Sequence, residues 1–508
     1  MRKISTVAGA RPTSGPHSLG GARESRALLR LTGPAAAGMD RSIKTMSGFI
    51  AHAGRGLAAE DAARLHMGAR KNPMAITALL TLADSLDREV LVSRLETRLL
   101  PYRHFRQKII EHRFGLGMPR WEDDPSFEVR RHVHSIDLSQ RADSIIGVIA
   151  DIVNRPFTGD RPLWDVYLVR GGESWTALIV KVHHVLADGS RLLALLEDLS
   201  DEQGNERLPD EHRDEGLPAA AESSQNSWFV SDARVERTVA RCARLVSGVL
   251  ATARLALKPT DPPTRLRGNL GHRKHAVCSA TWALEPLLTS AHTQETTLTC
   301  LLLAAVAGAL RTFLGGRGRH SGRTLHALLP VHVPIHDNRD VGNHYGSIIV
   351  SLPVDIADPR RRLRRIHDEL QTLRSRRAVA GGVNLAFAAG LVPAAVERLG
   401  VSFFSRKASA MVSNVRGPAH VLHIAGAAVR DVVVWAPSPG SIALGITFMS
   451  YAGRARIAVS ADAGVIGNPG GILRALEDEL MILAPSVSTS SAPGRAEPPK
   501  MPARAPGA

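Results

Sequence analysis

The sequence predicts a mixed α/β protein of two lobes. Three observations lead there: the length, an acidic interruption near the middle, and helices and strands that intermingle without a strict beat. At 508 residues the chain is too long for one ordinary hydrophobic core, so two or more structural units are expected. Residues 200–227 carry Asp201, Glu202, Glu206, Asp210, Glu211, Asp214 and Glu215 with few apolar side chains, the composition of a solvated linker. On either side of it, strand-like and helix-like apolar patterns alternate, but not in the regular order of a parallel βαβ sheet.

Taken in chain order, residues 1–56 are rich in Gly, Ala, Ser and Arg and show no sustained periodicity; they are expected to form a disordered basic extension. Residues 57–199 are expected to form the first lobe. Within it the apolar run Ala177–Val182 reads as a strand and Leu192–Leu199 as a helix. Residues 200–258 hold the linker and an amphipathic helix over 232–258, where Val235, Val239, Cys242, Val246, Val249 and Ala253 recur at helical spacing opposite Arg234, Arg237, Arg241 and Arg244. The plain reading is a helix packed on the body with its arginines in water; the other is an interfacial helix on anionic lipid. Residues 259–484 are expected to form the second lobe. It has a helix over Thr297–Leu314, whose Leu301–Leu310 stripe is core packing, and strands over Leu325–His332, Ser347–Val354 and Arg456–Ser460. Residues 485–508 are rich in Pro, Ser and Ala and read as a tail.

Composition narrows the function without choosing it. Lys and Arg number 64 against 48 Asp and Glu, a formal charge of +16, which favours anionic partners such as nucleic acid, acidic lipid or phosphorylated substrates. The three cysteines, Cys242, Cys278 and Cys300, lie far apart and form no CxxC pair, so neither a disulfide framework nor a zinc site is expected. No apolar run reaches the ~18 residues a membrane span needs. Arg23, Arg26 and Arg30 interrupt any secretory apolar stretch near the N-terminus.

The chemistry concentrates in Trp175–Leu196, an apolar strand, then His183-His184-Val185-Leu186-Ala187-Asp188-Gly189, then an apolar helix. A strand-to-helix loop exposes side chains while fixing their aim. Histidine is the side chain best suited to accept a proton near neutral pH. Asp188 can orient an imidazole or anchor the loop through an arginine, and Gly189 permits tight backbone where the helix begins. Two histidines and an aspartate could also be part of a metal site, but no third ligand cluster is apparent and no metal is expected. There is no G-x-S-x-G elbow, G-x-G-x-x-G turn or Walker loop, which argues against serine hydrolases and nucleotide-cofactor folds.

HHxxxDG is the signature of the CoA-dependent acyltransferase and condensation-domain superfamily, and other segments resemble one branch of it, the wax ester synthase/diacylglycerol acyltransferase family. They are Asn72-Pro73-Met74, Pro162-Leu163-Trp164, the helix Leu301–Arg311, Gly342-Asn343 followed by Leu352-Pro353, Ser413-Asn414-Val415-Arg416-Gly417-Pro418, and Ser450-Tyr451-Ala452-Gly453. Two departures stand out. Thr299-Cys300 replaces the Asn-Asp of the family's T-x-N-D, with Thr299 expected to cap the helix in its place. Arg416 replaces a proline.

The resemblance implies a two-lobed condensation-type fold with a channel between the lobes and acyl transfer from a long-chain acyl-CoA to an alcohol. It assigns the general base to the second histidine, His184, with His183 in support, Asp188 structural and Gly189 shaping the loop. Ser413, Asn414, Asn343 and Trp164 are candidates to line the channel, although Trp164 reads first as an aromatic packed under the active-site strand and Ser413-Asn414 at least as readily as a turn. Acyl-CoA is then a substrate and no cofactor is needed. The acceptor is diacylglycerol, giving triacylglycerol, or a long-chain alcohol, giving a wax ester. The expected partner surface is an anionic membrane or lipid droplet, reached peripherally from the cytoplasm at the inner face of the plasma membrane, and not nucleic acid. Two other readings stay open: a condensation-type enzyme using carrier-bound acyl groups, and a non-catalytic lipid-binding relative.

Overall fold

The computed structural model describes residues 56–68, 71–112, 117–138, 144–171, 175–187, 189–201, 257–315, 324–332, 345–375, 392–485 and 489–490. In chain order the first half supplies α1 (Ala59–Met67), β1 (Ala75–Leu82), α2 (Arg88–Arg98), β2 (Gln107–Ile110), β3 (Arg120–Asp123), β4 (Val133–Asp137), α3 (Ile145–Asn154), β5 (Trp164–Arg170), β6 (Thr176–His183) and α4 (Gly189–Leu199). The second half supplies β7 (Lys274–Cys278), β8 (Thr281–Ala283), α5 (Leu284–Thr293), α6 (Leu298–Phe313), β9 (Leu325–His332), β10 (Tyr345–Leu352), α7 (Pro359–Ser375) and α8 (Ala394–Ser405). It ends with β11 (Ala410–Arg416), β12 (His423–Ile424), β13 (Ala427–Trp435), β14 (Leu444–Tyr451), β15 (Arg454–Asp462), α9 (Pro469–Leu483) and β16 (Thr489–Ser490).

The first sheet runs β12-β13-β1-β6-β5-β4. Its middle strands are apolar on both faces, as strands covered on both sides must be. One face, through Leu80, Leu178 and Val182, packs on Leu91 and Leu95 of α2 and Leu192 and Leu196 of α4. The other, through Leu79, Tyr167 and Ile179, packs on Val148, Ile149 and Ile152 of α3 and on Ala276 and Ala458 of the second sheet's strands β7 and β15. This second cluster joins the two lobes. Neighbours pair antiparallel except β4 and β5, which are parallel and joined across α3. Lys181, buried in β6, points its ammonium at the end of α3, 2.7 Å from the Ile152 carbonyl. It adds a donor to the carbonyls at the helix C-terminus, where a positive charge is favoured. Burial pulls its pKa down to about 8, with Asp165 opposing.

The second sheet runs β10-β9-β11-β14-β15-β8-β16, with β7 also on β15. Its core is α6, buried from Cys300 through Leu310 as the apolar stripe required, with α7 and α9 against it. Among the described residues no single helix is long and apolar enough to cross a membrane.

The structure departs from the expected divisions in three places and lengthens one expected strand. Residues 423–435, counted with the second lobe, form β12 and β13 and complete the first sheet, because β13 is the antiparallel neighbour of β1 from Thr77↔Trp435 to Leu82↔Val429. The strand expected over Ser347–Val354 spans Tyr345–Leu352 and stops before Pro353, which has no N–H for a ladder. The strand expected over Arg456–Ser460 is the centre of β15. Thr489 and Ser490, in the expected tail, pair with β8. The extension expected at 1–56 and the helix expected at 232–258 lie outside the described residues except at Gly56, Leu257 and Lys258.

Candidate active site

β6 ends at His183, the strand partner of Ala75, and the chain turns through His184, Val185 and Leu186 before α4 begins at Gly189. The turn is closed by Leu186 N–H donating to the His183 carbonyl at 2.9 Å. Two of the recurrent segments hold the histidines by their backbones. His183 N–H donates to the Leu163 carbonyl at 2.9 Å, and His184 N–H donates to the Met74 carbonyl at 2.7 Å. The peptide groups of Pro162-Leu163-Trp164 and Asn72-Pro73-Met74 thus fix the dipeptide from either side, a rigidity that reacting groups require.

The two imidazoles differ in what their rings do. His183 Nδ1 accepts the Val185 N–H at 3.2 Å, which puts its proton on Nε2 and folds the ring into the loop. The ring meets Phe157 edge-on, centres 6.2 Å apart. Burial, then the neighbouring His184 and Lys181, push its pKa down to about 3. His183 is therefore a neutral, anchored part of the loop. His184 is also buried.

Asn72 ties this loop to the second lobe. Its Nδ2 donates to the carbonyls of Gly440 at 3.2 Å and Ile442 at 3.4 Å. Gly440 has φ +58°, and a Cβ there would lie 2.7 Å from Ser405 Oγ, so glycine is required for the chain to turn under Asn72. Between the lobes, where a channel is expected, the described residues enclose a void of about 40 Å³ bounded by Asn72, Ala75, Thr77, Trp435, Ser438 and Ser460 among others. That space holds a few waters at most. Among the described residues no three His, Cys, Asp or Glu side chains are grouped to hold a metal.

The channel candidates separate. Trp164 is buried in the first lobe's core, with its ring 4.4 Å from that of His132 and its Nε1 donating to the Phe105 carbonyl at 2.8 Å. It packs rather than lining the space between the lobes. Ser413 and Asn414 lie on β11, paired in parallel with β14, and not in a turn. Ser413 is buried, whereas Asn414 is exposed and its Nδ2 donates to Thr299 Oγ1 at 3.1 Å. The helix after the histidines, α4, runs beside β11. Thr299 is not the cap expected of it. α6 starts at Leu298, so the cap position falls on Thr297, whose hydroxyl accepts the Cys300 N–H at 3.3 Å. Asp188 and Asn343 lie outside the described residues.

Residues 57–297 match the wax ester synthase/diacylglycerol acyltransferase catalytic domain, and residues 341–484 match the C-terminal domain of the same family. The chain belongs to this family. It is an acyltransferase. Among the family's named proteins, a probable diacylglycerol O-acyltransferase of Mycobacterium tuberculosis (strain ATCC 25618 / H37Rv) is 27% identical over 403 residues, covering 77% of this chain and 87% of the relative. A putative one of Mycobacterium bovis matches to the same extent. The solved wax ester synthase/diacylglycerol acyltransferase of Marinobacter aquaeolei VT8 superposes with a TM-score of 0.58 at 22% identity, covering 84% of this chain and 98% of that one. The first condensation domain of the calcium-dependent antibiotic synthetase superposes with a TM-score of 0.56 at 16% identity, covering 85% of this chain and 95% of that one. These likenesses show the shared two-lobed fold. The family's late Ser-Tyr-x-Gly segment also finds its purpose here. The Tyr451 hydroxyl accepts the Leu422 N–H at 2.7 Å and donates to the Val429 carbonyl at 2.9 Å, stitching β14 to the strand that crosses into the first sheet.

Sequence reasoning missed that the Met74 and Leu163 carbonyls hold the two histidine N–H groups and that the Asn72 amide grips the second lobe at Gly440 and Ile442. The motifs had been visible, but a carbonyl's partner leaves no mark in residue type.

Proposed function

We propose that this acyltransferase moves a long-chain acyl group from acyl-CoA to the hydroxyl of diacylglycerol, with a long-chain alcohol as a second acceptor, and that His184 is the general base. The observation that carries the assignment within the dipeptide is the anchoring of His183. Its Nδ1 is engaged by Val185 N–H and its pKa is held at about 3, so its part is to fix the loop. In the reaction, the imidazole of His184 takes the acceptor's hydroxyl proton as the oxygen attacks the thioester carbonyl. The tetrahedral oxyanion then collapses, the C–S bond breaks, and the CoA thiolate recovers the proton from the imidazolium. No acyl-enzyme is formed. The family match supports this chemistry, and the diacylglycerol acceptor follows the names of the Mycobacterium relatives.

The partner surface proposed is an anionic membrane or lipid droplet, met peripherally from the cytoplasmic side. The charge of +16 supports it. The test is the purified protein with palmitoyl-CoA, given dioleoylglycerol and hexadecanol separately and together. Triacylglycerol and wax ester should both form, competing for one site. Hydrolysis of palmitoyl-CoA with neither ester formed would sink the proposal.

A further inference from the structure

Several of the large apolar side chains exposed on the described surface gather on and beside one helix. Val392, Val396, Leu399 and Phe403 are 36%, 53%, 73% and 44% exposed. Val396, Leu399 and Phe403, three and four residues apart on α8, form a single stripe, and Val392 lies just before the helix. The opposite side of α8 is buried through Ala394, Glu397 and Ser405 and packs on α1, where His66 Nδ1 lies 2.9 Å from Glu397 Oε2. Leu257, 83% exposed, adjoins the stripe. The carbonyl of its neighbour Lys258 accepts from Lys407 Nζ, and that ammonium sits 4.6 Å from the centre of the Phe403 ring.

The exposed charges on the stripe's own two segments are of one sign. Residues 392–407 and 257–267 contain two acids, Glu397 and Asp261, and both are buried. Glu397 faces His66, and Asp261 lies 2.6 Å from both His326 Nδ1 and Ser409 Oγ. The same two segments contain six basic residues, of which Arg265, Arg398 and Arg406 are exposed. They are bound together where Arg267 donates to the Arg406 carbonyl. An apolar stripe framed by arginines, with both carboxylates of its own segments turned inward, complements an anionic phospholipid surface.

The patch also sits over the reaction site's frame. Ser405, on the inner side of α8, accepts the Ser441 N–H at 3.2 Å. Ser441 lies between Gly440 and Ile442, the two residues gripped by Asn72.

We propose that α8 and the adjoining 257–267 segment form the face that docks on anionic phospholipid, with the stripe among the acyl chains and the arginines at the headgroups. The seam between Asn72 and Gly440 is then turned toward the lipid that carries the acceptor. This inference gives a location to the lipid-surface partner proposed above and rests on that reading.

The test compares wild type with Leu399→Ser/Phe403→Ser and with Arg398→Glu, all at exposed positions. Each is sedimented with vesicles of pure phosphatidylcholine and of phosphatidylcholine mixed with phosphatidylglycerol. Each is also assayed with dihexanoylglycerol in solution and with dioleoylglycerol embedded in the mixed vesicles. Wild type should bind the mixed vesicles preferentially. The double serine variant should bind them at least tenfold more weakly, and Arg398→Glu about tenfold more weakly at low salt. Turnover of vesicle-embedded dioleoylglycerol should fall with binding, while turnover of the soluble acceptor is unchanged. Undiminished vesicle binding by the serine variant overturns the inference. So does a wild-type dimer that becomes monomeric in that variant while vesicle binding persists, which would make the face a contact between copies. If no acceptor is turned over by any form yet vesicle binding follows the predicted pattern, the docking face stands and the acyl-transfer reading falls.

Discussion

Replacing His183 with asparagine isolates the physical state of the anchored imidazole. Asparagine keeps an oxygen near the position of Nδ1 to accept the Val185 N–H but cannot titrate. In the wild type, burial holds the folded-state pKa at about 3, against ~6.5 for an unperturbed imidazole. The unfolded chain therefore binds a proton below about pH 6.5 that the folded protein refuses until about pH 3. By linkage, the wild type has this group's full stabilisation above pH 6.5 and loses it as pH falls, by up to about 1.4 kcal/mol per unit. Between pH 8 and pH 5 the loss amounts to about 2 kcal/mol. Urea unfolding of wild type and His183→Asn at both pH values measures it. The difference in stability between pH 8 and pH 5 should be about 2 kcal/mol smaller in the variant. Equal pH dependence in the two proteins would show that His183 titrates normally when folded and would remove the argument that it is a fixed neutral anchor.

Two further substitutions probe the frame. Asn72→Ala leaves the Gly440 and Ile442 carbonyls without their donor. It should lower stability by about 1–3 kcal/mol, and loosening the Met74 contact to His184 should reduce kcat about tenfold with little change in KM. Thermal melting and initial-rate kinetics on the same preparation check both. Gly308→Ala would ordinarily favour a helix by about 1 kcal/mol. Here a Cβ would meet Glu479 Cδ at 2.2 Å and Arg362 Nη2 at 2.4 Å, in an ion pair whose arginine is fully buried and bonded to the Ala304, Ile356 and Ala357 carbonyls. Denaturant titration should show a net loss of about 1–3 kcal/mol, and a gain would mean that the pair moves aside freely.

Local pattern carried much of the fold. The strand expected over Leu325–His332 has those ends in the structure, because its apolar run is bounded on its own terms. The long apolar helix starts at Leu298, one residue later than expected, and its cap is Thr297, two residues before the threonine expected to serve. The motif's place at a strand-to-helix junction was legible because the apolar run ends where the histidines begin. What local pattern does not contain is pairing between distant segments. Nothing in 427–435 announces that β13 leaves its own lobe to lie beside β1. The basic helix α7, whose Arg362 reaches the core, went unrecognised for a related reason: a buried arginine is read from its partner Glu479, which is distant in sequence. Trp164 was visible as an aromatic near the site, but its packing against His132 depends on the parallel pairing of β4 with β5.

The central claim is that His184 moves the proton and His183 holds the loop. The measurement is turnover by purified His184→Ala and His183→Ala with palmitoyl-CoA, using both dioleoylglycerol and hexadecanol, with thermal melting as the control for folding. A positioned general base contributes about 10²–10⁴-fold in rate. His184→Ala should lose at least ~100-fold with either acceptor while remaining folded, and His183→Ala should lose less, with its loss accompanied by a lower melting temperature. Near-wild-type turnover by His184→Ala, or a greater loss at His183 in a protein that melts normally, would contradict the account.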